Sequence, residues 1–225
     1  MRSRSALVPE FARPYARKVY KSWQRFRGGT PAPETVSRHY AQFESLYGDF
    51  HVGRDYEELA IRGLDKPSGC IRGSIVHFCR ELPQPGRVLL PGEPSSLRDV
   101  YATMLGVEPA AVVTAGLMDD ADFTWDFEQD PPDMGRFGLA LSQAMLEHLI
   151  DPYKHMRDLA ALLEPGGHIV VLTVLPGFNY HRYPVDCFRF FPDWFEEVAK
   201  RLSLEVVERF IWELRIVYVL RKPAV

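Results

Sequence analysis

The chain of 225 residues lacks the features that mark membrane, disulfide-rich and nucleic-acid-binding proteins. No apolar run reaches the about 18 residues of a membrane-spanning helix, and none follows the basic N-terminus as in a secretory signal. Its three cysteines, Cys70, Cys79 and Cys187, form no CxxC pair, and their odd number argues against a disulfide framework. The net charge of −3 gives no reason to expect nucleic-acid binding. We therefore expect a cytoplasmic globular protein with reduced thiols.

Strand-like and helix-like patterns alternate from residue 86 to residue 225. The predicted strands are Val88–Leu90, Ala110–Val113, Phe123–Phe127, Phe137–Leu141 and His168–Val174. The predicted helices are Ser95–Leu105, Asp151–Leu163 and Pro192–Leu202. Two further β-rich runs, Leu204–Phe210 and Leu214–Leu220, are separated by a short turn, so they either pair antiparallel or lie apart. This order predicts a Rossmann-like α/β domain whose sheet is mostly parallel.

The first 85 residues have a different pattern, which we divide into two segments. Residues 1–29 contain "FARPYARKVYKSWQRFR", in which apolar residues recur near every fourth position among arginines and lysines, and Gly28 and Gly29 follow. This predicts a basic amphipathic helix that either lies on an anionic membrane surface or packs on the main domain or a second subunit. Residues 30–85 begin with another amphipathic pattern, which predicts a helical cap over the mouth of the active site of the main domain.

Two stretches of the α/β domain resemble a known family. The stretch "LALSQAMLEHLIDPYKHMRDLAALLEPGGHIVVLTV" resembles the second half of class I S-adenosylmethionine-dependent methyltransferases, with a Leu-Glu-His turn, an Asp-Pro helix and a Pro-Gly-Gly turn. The following "VLPGFNYHRYPVDCFRFFPDW" is similar to a bacterial branch associated with surface-glycan and secondary-metabolite pathways. The resemblance implies a seven-stranded sheet that ends in an antiparallel hairpin. It also implies S-adenosyl-L-methionine as cofactor and a saccharide or small-molecule hydroxyl as acceptor.

The resemblance also assigns cofactor positions, several of which hold unusual residues. Gly92 takes the first position of the glycine-rich loop, but Pro94 and Ser96 take the next two, and Gly116 stands where an acid usually binds the ribose. The implied cofactor-binding residues are Gly92, Glu93, Ser95, Asp126, Glu147 and His148. Two hypotheses remain open: an active methyltransferase, or a catalytically silent methyltransferase-fold scaffold or regulatory partner.

The segment 175–189 follows the strongest predicted strand and contains the candidate catalytic residues, His181 and Asp186. Methylation of a hydroxyl needs a base, and a histidine with a pKa near neutrality is the usual choice. Arg189 either pairs with Asp186, which would then cap the next helix, or binds an anionic acceptor. His148 and His155 have no third metal ligand nearby in sequence, so no metal site is predicted.

Overall fold

The computed structural model describes residues 51–53, 79, 82–212 and 214–224, with backbone only for 51–53 and 212. The predicted helix of residues 1–29, with its membrane or subunit contact, and most of the predicted cap of residues 30–85 lie outside these residues. Within the described part, no helix is long and apolar enough to cross a membrane.

The described residues form one mixed sheet of eight strands. The strands are β1 (His51–Gly53), β2 (Val88–Pro91), β3 (Val112–Gly116), β4 (Phe123–Thr124), β5 (Phe137–Gln143), β6 (Leu163–Val174), β7 (Glu205–Trp212) and β8 (Arg215–Arg221). Their order is β1-β7-β8-β6-β5-β2-β3-β4, and among these strands β8 is the one that runs antiparallel to its neighbours. The predicted Rossmann-like sheet with its antiparallel hairpin is confirmed, and β1 extends the sheet beside β7.

In the described part of the chain, three α-helices alternate with the strands, and nearby residues determine where they begin and end. They are α1 (Arg98–Leu105), α2 (Pro152–Leu162) and α3 (Pro192–Arg201). A 3-10 turn, Ser95–Leu97, leads into α1, which ends at Gly106 in the left-handed conformation (φ +68°). The Asp151 side chain accepts a hydrogen bond from the Lys154 N–H (2.9 Å), which makes it the N-cap of α2, as predicted.

Most strand boundaries differ from the prediction by a few residues, and three of the differences have a reason in the structure. β3 begins two residues late because Pro109 starts a 3-10 turn that lasts to Ala111. β4 is short because the chain turns at Asp126, whose carbonyl accepts from the Gln129 N–H (2.8 Å). β6 begins early, at Leu163, because the Pro-Gly-Gly segment forms an irregularity within the strand and does not separate it from α2.

The central strands are buried on both faces, so polar chemistry is confined to their ends. Val88, Leu89 and Leu90 of β2 are fully buried, and so are Ile169 and Val170 of β6. Burial on both faces is typical of parallel strands covered by crossover helices. The side chains that can meet a ligand therefore lie where these strands end.

Candidate active site

The carboxyl ends of four neighbouring parallel strands meet at one edge of the sheet, because β3, β2, β5 and β6 are adjacent in that order. The turn at Gly92 follows β2, Gly116 ends β3, the 3-10 turn Leu146–His148 follows β5, and the segment 175–191 follows β6. We call this last segment the acceptor loop. Ligands of α/β folds bind at this edge. The topology thus brings the predicted cofactor and acceptor segments to the same side of the domain.

The turn after β2 depends on a glycine at position 92. Gly92 has a φ of +78°, in the left-handed region that favours glycine. Its N–H donates to the Ala115 carbonyl (2.8 Å), which holds the turn beside the end of β3. A Cβ at position 92 would overlap the thioether of Met145, and a Cβ on Gly116 would lie 3.6 Å from Gly92 Cα. The two glycines therefore form a closely packed floor where the cofactor is predicted.

Glu93, the next predicted cofactor residue, is held by two side chains from other elements. Glu93 is 9% exposed, and its Oε1 accepts a hydrogen bond from the Tyr101 hydroxyl of α1 (2.8 Å). The Gln143 amide at the end of β5 donates to the same oxygen. Ser95 lies two residues further on, where the 3-10 turn before α1 begins. The carboxylate is thus fixed at the junction of β2 and α1.

Asp126, the predicted adenine contact, lies just after β4 and is exposed. Its Oδ1 accepts from the Glu128 N–H (3.0 Å), so the side chain stabilises its own turn. The Glu128 carboxylate in turn accepts from the Ile150 N–H (2.7 Å) ahead of α2. The turn that carries Asp126 is therefore tied to the loop that follows β5.

Glu147 and His148 were predicted to bind the cofactor, and their hydrogen bonds lie toward the acceptor loop. The Glu147 side chain is fully buried, and its Oε2 accepts from the Thr173 hydroxyl of β6 (2.6 Å). The backbone carbonyl of Glu147 accepts from the Cys187 N–H (2.7 Å). His148 Nδ1 lies 2.5 Å from the Val185 carbonyl. These contacts dock the 3-10 turn on the acceptor loop.

His181 lies between two carboxylates that are themselves hidden from solvent. Its Nε2 is 3.7 Å from Glu147 Oε1, and its Nδ1 is 3.5 Å from Asp186 Oδ2 and 3.2 Å from the Asn179 carbonyl. The His181 side chain is 31% exposed, whereas both carboxylates are 0% exposed. Glu147 first, then the Asn179 carbonyl and Asp186, raise the pKa of His181 above its ordinary value, against the opposing effect of burial. An accessible imidazole backed by two anions is suited to take up a proton.

Arg189 closes the acceptor loop on itself. Its Nη2 donates to Asp186 Oδ2 (2.8 Å), and its Nε donates to the Phe178 carbonyl (3.1 Å). Arg189, together with the His181 backbone N–H, lowers the pKa of Asp186 to about 2, so this carboxylate is an anion at neutral pH and a poor base. Of the alternatives open in the sequence, the structure shows the Arg189–Asp186 pair. Asp186 does not cap α3, whose N-cap is Phe191.

The sequence analysis predicted no metal site because no third ligand lies near His148 and His155 along the chain, but the folded chain brings a more distant residue close to His148. One donor atom each from Glu147, His148 and His181 lies within 4.8 Å of the others, so the acceptor loop supplies a third candidate ligand. Two ligands of one zinc ion, with bonds of about 2.1 Å, lie at most about 4.2 Å apart. The three donor atoms are therefore close to the spacing that a bound ion requires, and these side chains form a candidate metal site.

Three side chains that support the site were missing from the predicted set: Tyr101, Gln143 and Thr173. Gln143 and Thr173 are polar residues at the carboxyl ends of apolar strands, a pattern visible in the sequence. Tyr101 lies within the predicted helix Ser95–Leu105, and the Glu93 carboxylate that accepts from its hydroxyl lies in the turn after β2, so no pattern within the helix indicated the contact.

The comparisons with known proteins agree with this architecture. A family model described as a methyltransferase domain matches residues 69–207, more than half of the chain. The chain belongs to the class I S-adenosylmethionine-dependent methyltransferases. No curated protein matches this methyltransferase.

Solved structures with a similar fold are distant in sequence. The S-adenosylmethionine-dependent methyltransferase from Mesorhizobium loti has a TM-score of 0.53 at 16% identity, over 69% of this chain and 99% of its own. The CcbJ methyltransferase from Streptomyces caelestis has a TM-score of 0.52 at 16% identity, over 68% of this chain and 89% of its own. At these identities the likeness establishes the shared fold, and the residues of this chain must carry any argument about its substrate.

Proposed function

We propose that this methyltransferase methylates a hydroxyl of a saccharide or another small molecule, with His181 as the proton acceptor. The position of His181 supports this most directly. Its ring is partly exposed on the acceptor loop, and two buried carboxylates lie behind it. A hydroxyl must lose its proton when its oxygen is methylated, and a positioned imidazole is the usual group to accept it.

The described residues at the glycine turn fit the cofactor that the family uses. S-adenosylmethionine, when bound, supplies a methyl group on a positively charged sulfur. Gly92 allows the close approach of backbone to ligand, and the fixed carboxylate of Glu93 suits the ammonium group or the ribose hydroxyls. We assign Asp126 to the adenine amino group and the start of the turn at Ser95 to the ligand's carboxylate. Gly116 has no carboxylate that could bind the ribose. In this proposal Glu93 therefore recognises the ribose hydroxyls.

The acceptor side is built from the turn after β5 and the acceptor loop. When His181 Nδ1–H donates to the Asn179 carbonyl, the lone pair of the ring lies on Nε2. The proton of the acceptor hydroxyl then passes to Nε2. Asp186 accepts a hydrogen bond from the His181 backbone N–H (2.7 Å) and so positions the base without titrating. His148, whose ring is 4.9 Å from that of His181, limits the tilt of the imidazole.

The experiment combines calorimetry with an acceptor screen. We expect S-adenosylhomocysteine to bind in the micromolar range and methyl transfer to a hydroxylated acceptor to be detected with labelled cofactor. His181→Ala is expected to lower turnover by about 10²–10⁴-fold with little change in cofactor affinity. Full turnover by His181→Ala would contradict the assignment of the base.

Two further outcomes separate this proposal from its rivals. Assays in excess chelator are expected to retain activity. Loss of activity that zinc or manganese restores would assign Glu147, His148 and His181 to an ion instead. An absence of binding heat at millimolar S-adenosylhomocysteine would favour the silent scaffold, the hypothesis supported by the missing carboxylate at Gly116.

A further inference from the structure

The buried carboxylate of Glu147 has one partnered oxygen and one that lacks a partner. Oε2 accepts a hydrogen bond from the Thr173 hydroxyl (2.6 Å), whereas Oε1 has no hydrogen-bond partner among the described residues. A buried carboxylate oxygen without a donor is costly, so an unpaired one indicates that a further group binds there. The atom that faces Oε1 is His181 Nε2, at 3.7 Å. This distance is close to the about 3.4 Å between two ligand atoms of a tetrahedral zinc ion with bonds of about 2.1 Å.

Both histidines beside this carboxylate have their Nδ1 atom next to a backbone carbonyl. His148 Nδ1 lies 2.5 Å from the Val185 carbonyl, and His181 Nδ1 lies 3.2 Å from the Asn179 carbonyl. A carbonyl oxygen only accepts hydrogen bonds, so each neutral ring carries its proton on Nδ1 and its lone pair on Nε2. Histidines that bind a metal usually have this arrangement, in which the second ring nitrogen donates to a carbonyl or a carboxylate.

We propose that Glu147, His148 and His181 bind a zinc ion, which occupies the lone pair that His181 needs as a base. The ligand atoms in this proposal are Glu147 Oε1 and the Nε2 atoms of the two histidines. One donor atom from each residue lies within 4.8 Å of the others. Two imidazoles and a carboxylate are a ligand set that proteins use for zinc, with water at the fourth position. The effect of the ion on the base rests on the proposed function, whereas the zinc site itself does not.

The surroundings of Glu147 favour a cation at this position. The Thr173 hydroxyl orients the carboxylate without compensating its charge, and carboxylates that bind metals are hydrogen-bonded in this way. The positive charge of Arg189 is already compensated by Asp186, to which its Nη2 donates (2.8 Å). Because His148 and His181 are partly exposed, an ion can enter from the solvent.

Zinc binding has a direct consequence for the proposed reaction. The Nε2 lone pair of His181 forms a bond to zinc in place of one water ligand of the ion, which is released, and no group is oxidised or reduced. The imidazole then has no lone pair to accept the proton of the acceptor hydroxyl. We therefore expect the zinc-free protein to be the active form and zinc to be an inhibitor.

The first test measures zinc binding by calorimetry, with the full chain made without a polyhistidine tag and stripped of metal by a chelator. We expect zinc to bind with a dissociation constant in about the micromolar range or below. Glu147→Gln and His181→Gln should each weaken this binding by more than about 100-fold, since loss of an outer-shell partner alone costs about 10–100-fold. The matched control is Cys187→Ser, which removes an exposed thiol from the same loop and should leave zinc affinity unchanged.

Equal zinc affinity in the wild type, Glu147→Gln and His181→Gln would overturn the proposal, and so would loss of binding in Cys187→Ser. If circular dichroism shows that Glu147→Gln is unfolded, the result for His181→Gln decides, because that side chain is partly exposed. A further pair of variants tests the orienting hydroxyl. Thr173→Val removes it and should weaken zinc binding by about 10–100-fold, whereas Thr173→Ser keeps it and should retain the affinity. Equal affinities in these two variants would contradict zinc binding through Glu147.

The second test measures turnover with and without zinc. We expect zinc to lower the turnover of the wild type and of Cys187→Ser to the level of His181→Ala, and excess chelator to restore it. Turnover that zinc leaves unchanged, or raises, would overturn the inhibitory role. The calorimetry uses neither cofactor nor acceptor, so zinc binding and methylation of a hydroxyl can each fail without the other.

Discussion

Acid should weaken the fold through one buried histidine of α2, His155. Its ring is fully buried, with Nε2 3.1 Å from Ser142 Oγ and the ring centroid 5.0 Å from that of Phe127. Burial, with a smaller contribution from the neighbouring Lys154 charge, lowers the pKa of His155 from 6.5 to about 3. Above pH 6.5 the ring is neutral in both states. Below pH 6.5 the unfolded chain gains a proton that the folded protein excludes, so the contribution of His155 to stability falls until about pH 3.

The size of the effect follows from these two pKa values of His155. Within the window between them, each pH unit lowers the free energy of unfolding by about 1.4 kcal/mol. Acidification from about pH 7 to pH 5 therefore costs about 2 kcal/mol through this residue. His155→Gln keeps a polar group near Ser142 but does not titrate, so this part of the pH dependence should disappear.

The assay is urea denaturation of the wild type and His155→Gln at pH 7 and pH 5. The comparison uses the change in unfolding free energy between the two pH values, so a constant packing defect in the variant cancels. Ser142→Ala is the matched control, because it removes the same hydrogen bond and leaves the imidazole in place, and its pH dependence should match the wild type. If His155→Gln loses as much stability on acidification as the wild type does, the buried histidine does not exclude the proton as argued.

Three further predictions concern the turns around the site. Gly92→Ala should lower the free energy of unfolding by about 1–3 kcal/mol in urea denaturation, because the new Cβ strains a left-handed position and overlaps Met145. Gly86→Ala is the control: Gly86 has open space around it, so the free energy of unfolding should change by no more than about 0.5 kcal/mol. Asp126→Ala should weaken S-adenosylhomocysteine binding by about 1–3 kcal/mol in calorimetry, and an unchanged affinity would remove Asp126 from the cofactor site. Arg189→Gln should open the acceptor loop and speed tryptic cleavage after the exposed Arg182, and a cleavage rate equal to that of the wild type would show that Arg189 does not hold the loop.

The periodicity of the sequence determined the α/β class, and short motifs determined most boundaries. The Asp151-Pro152 pair is enough to specify where α2 begins, because a side-chain cap and a fixed φ act over only three or four residues. The run His168–Val174 is apolar without alternation, which is what a strand buried on both faces requires. The predicted start of β6 was wrong because Leu163 pairs with Phe137 of β5, a contact with a strand elsewhere in the chain.

The contacts in the site also fall into two groups, those that follow from local sequence and those that depend on tertiary structure. The sequence placed His181 and Asp186 together on one loop, because their spacing is local. It could not show that Glu147 faces His181 rather than the cofactor turn, since that contact joins the ends of β5 and β6 and depends on their parallel register. Nor could it show that Thr173 orients Glu147, because a hydrogen bond between the end of β6 and the turn after β5 leaves no periodic pattern in either segment. Local backbone preferences are determined by neighbouring residues, whereas the chemistry at this edge of the sheet comes from side chains that only the assembled sheet brings within hydrogen-bond distance.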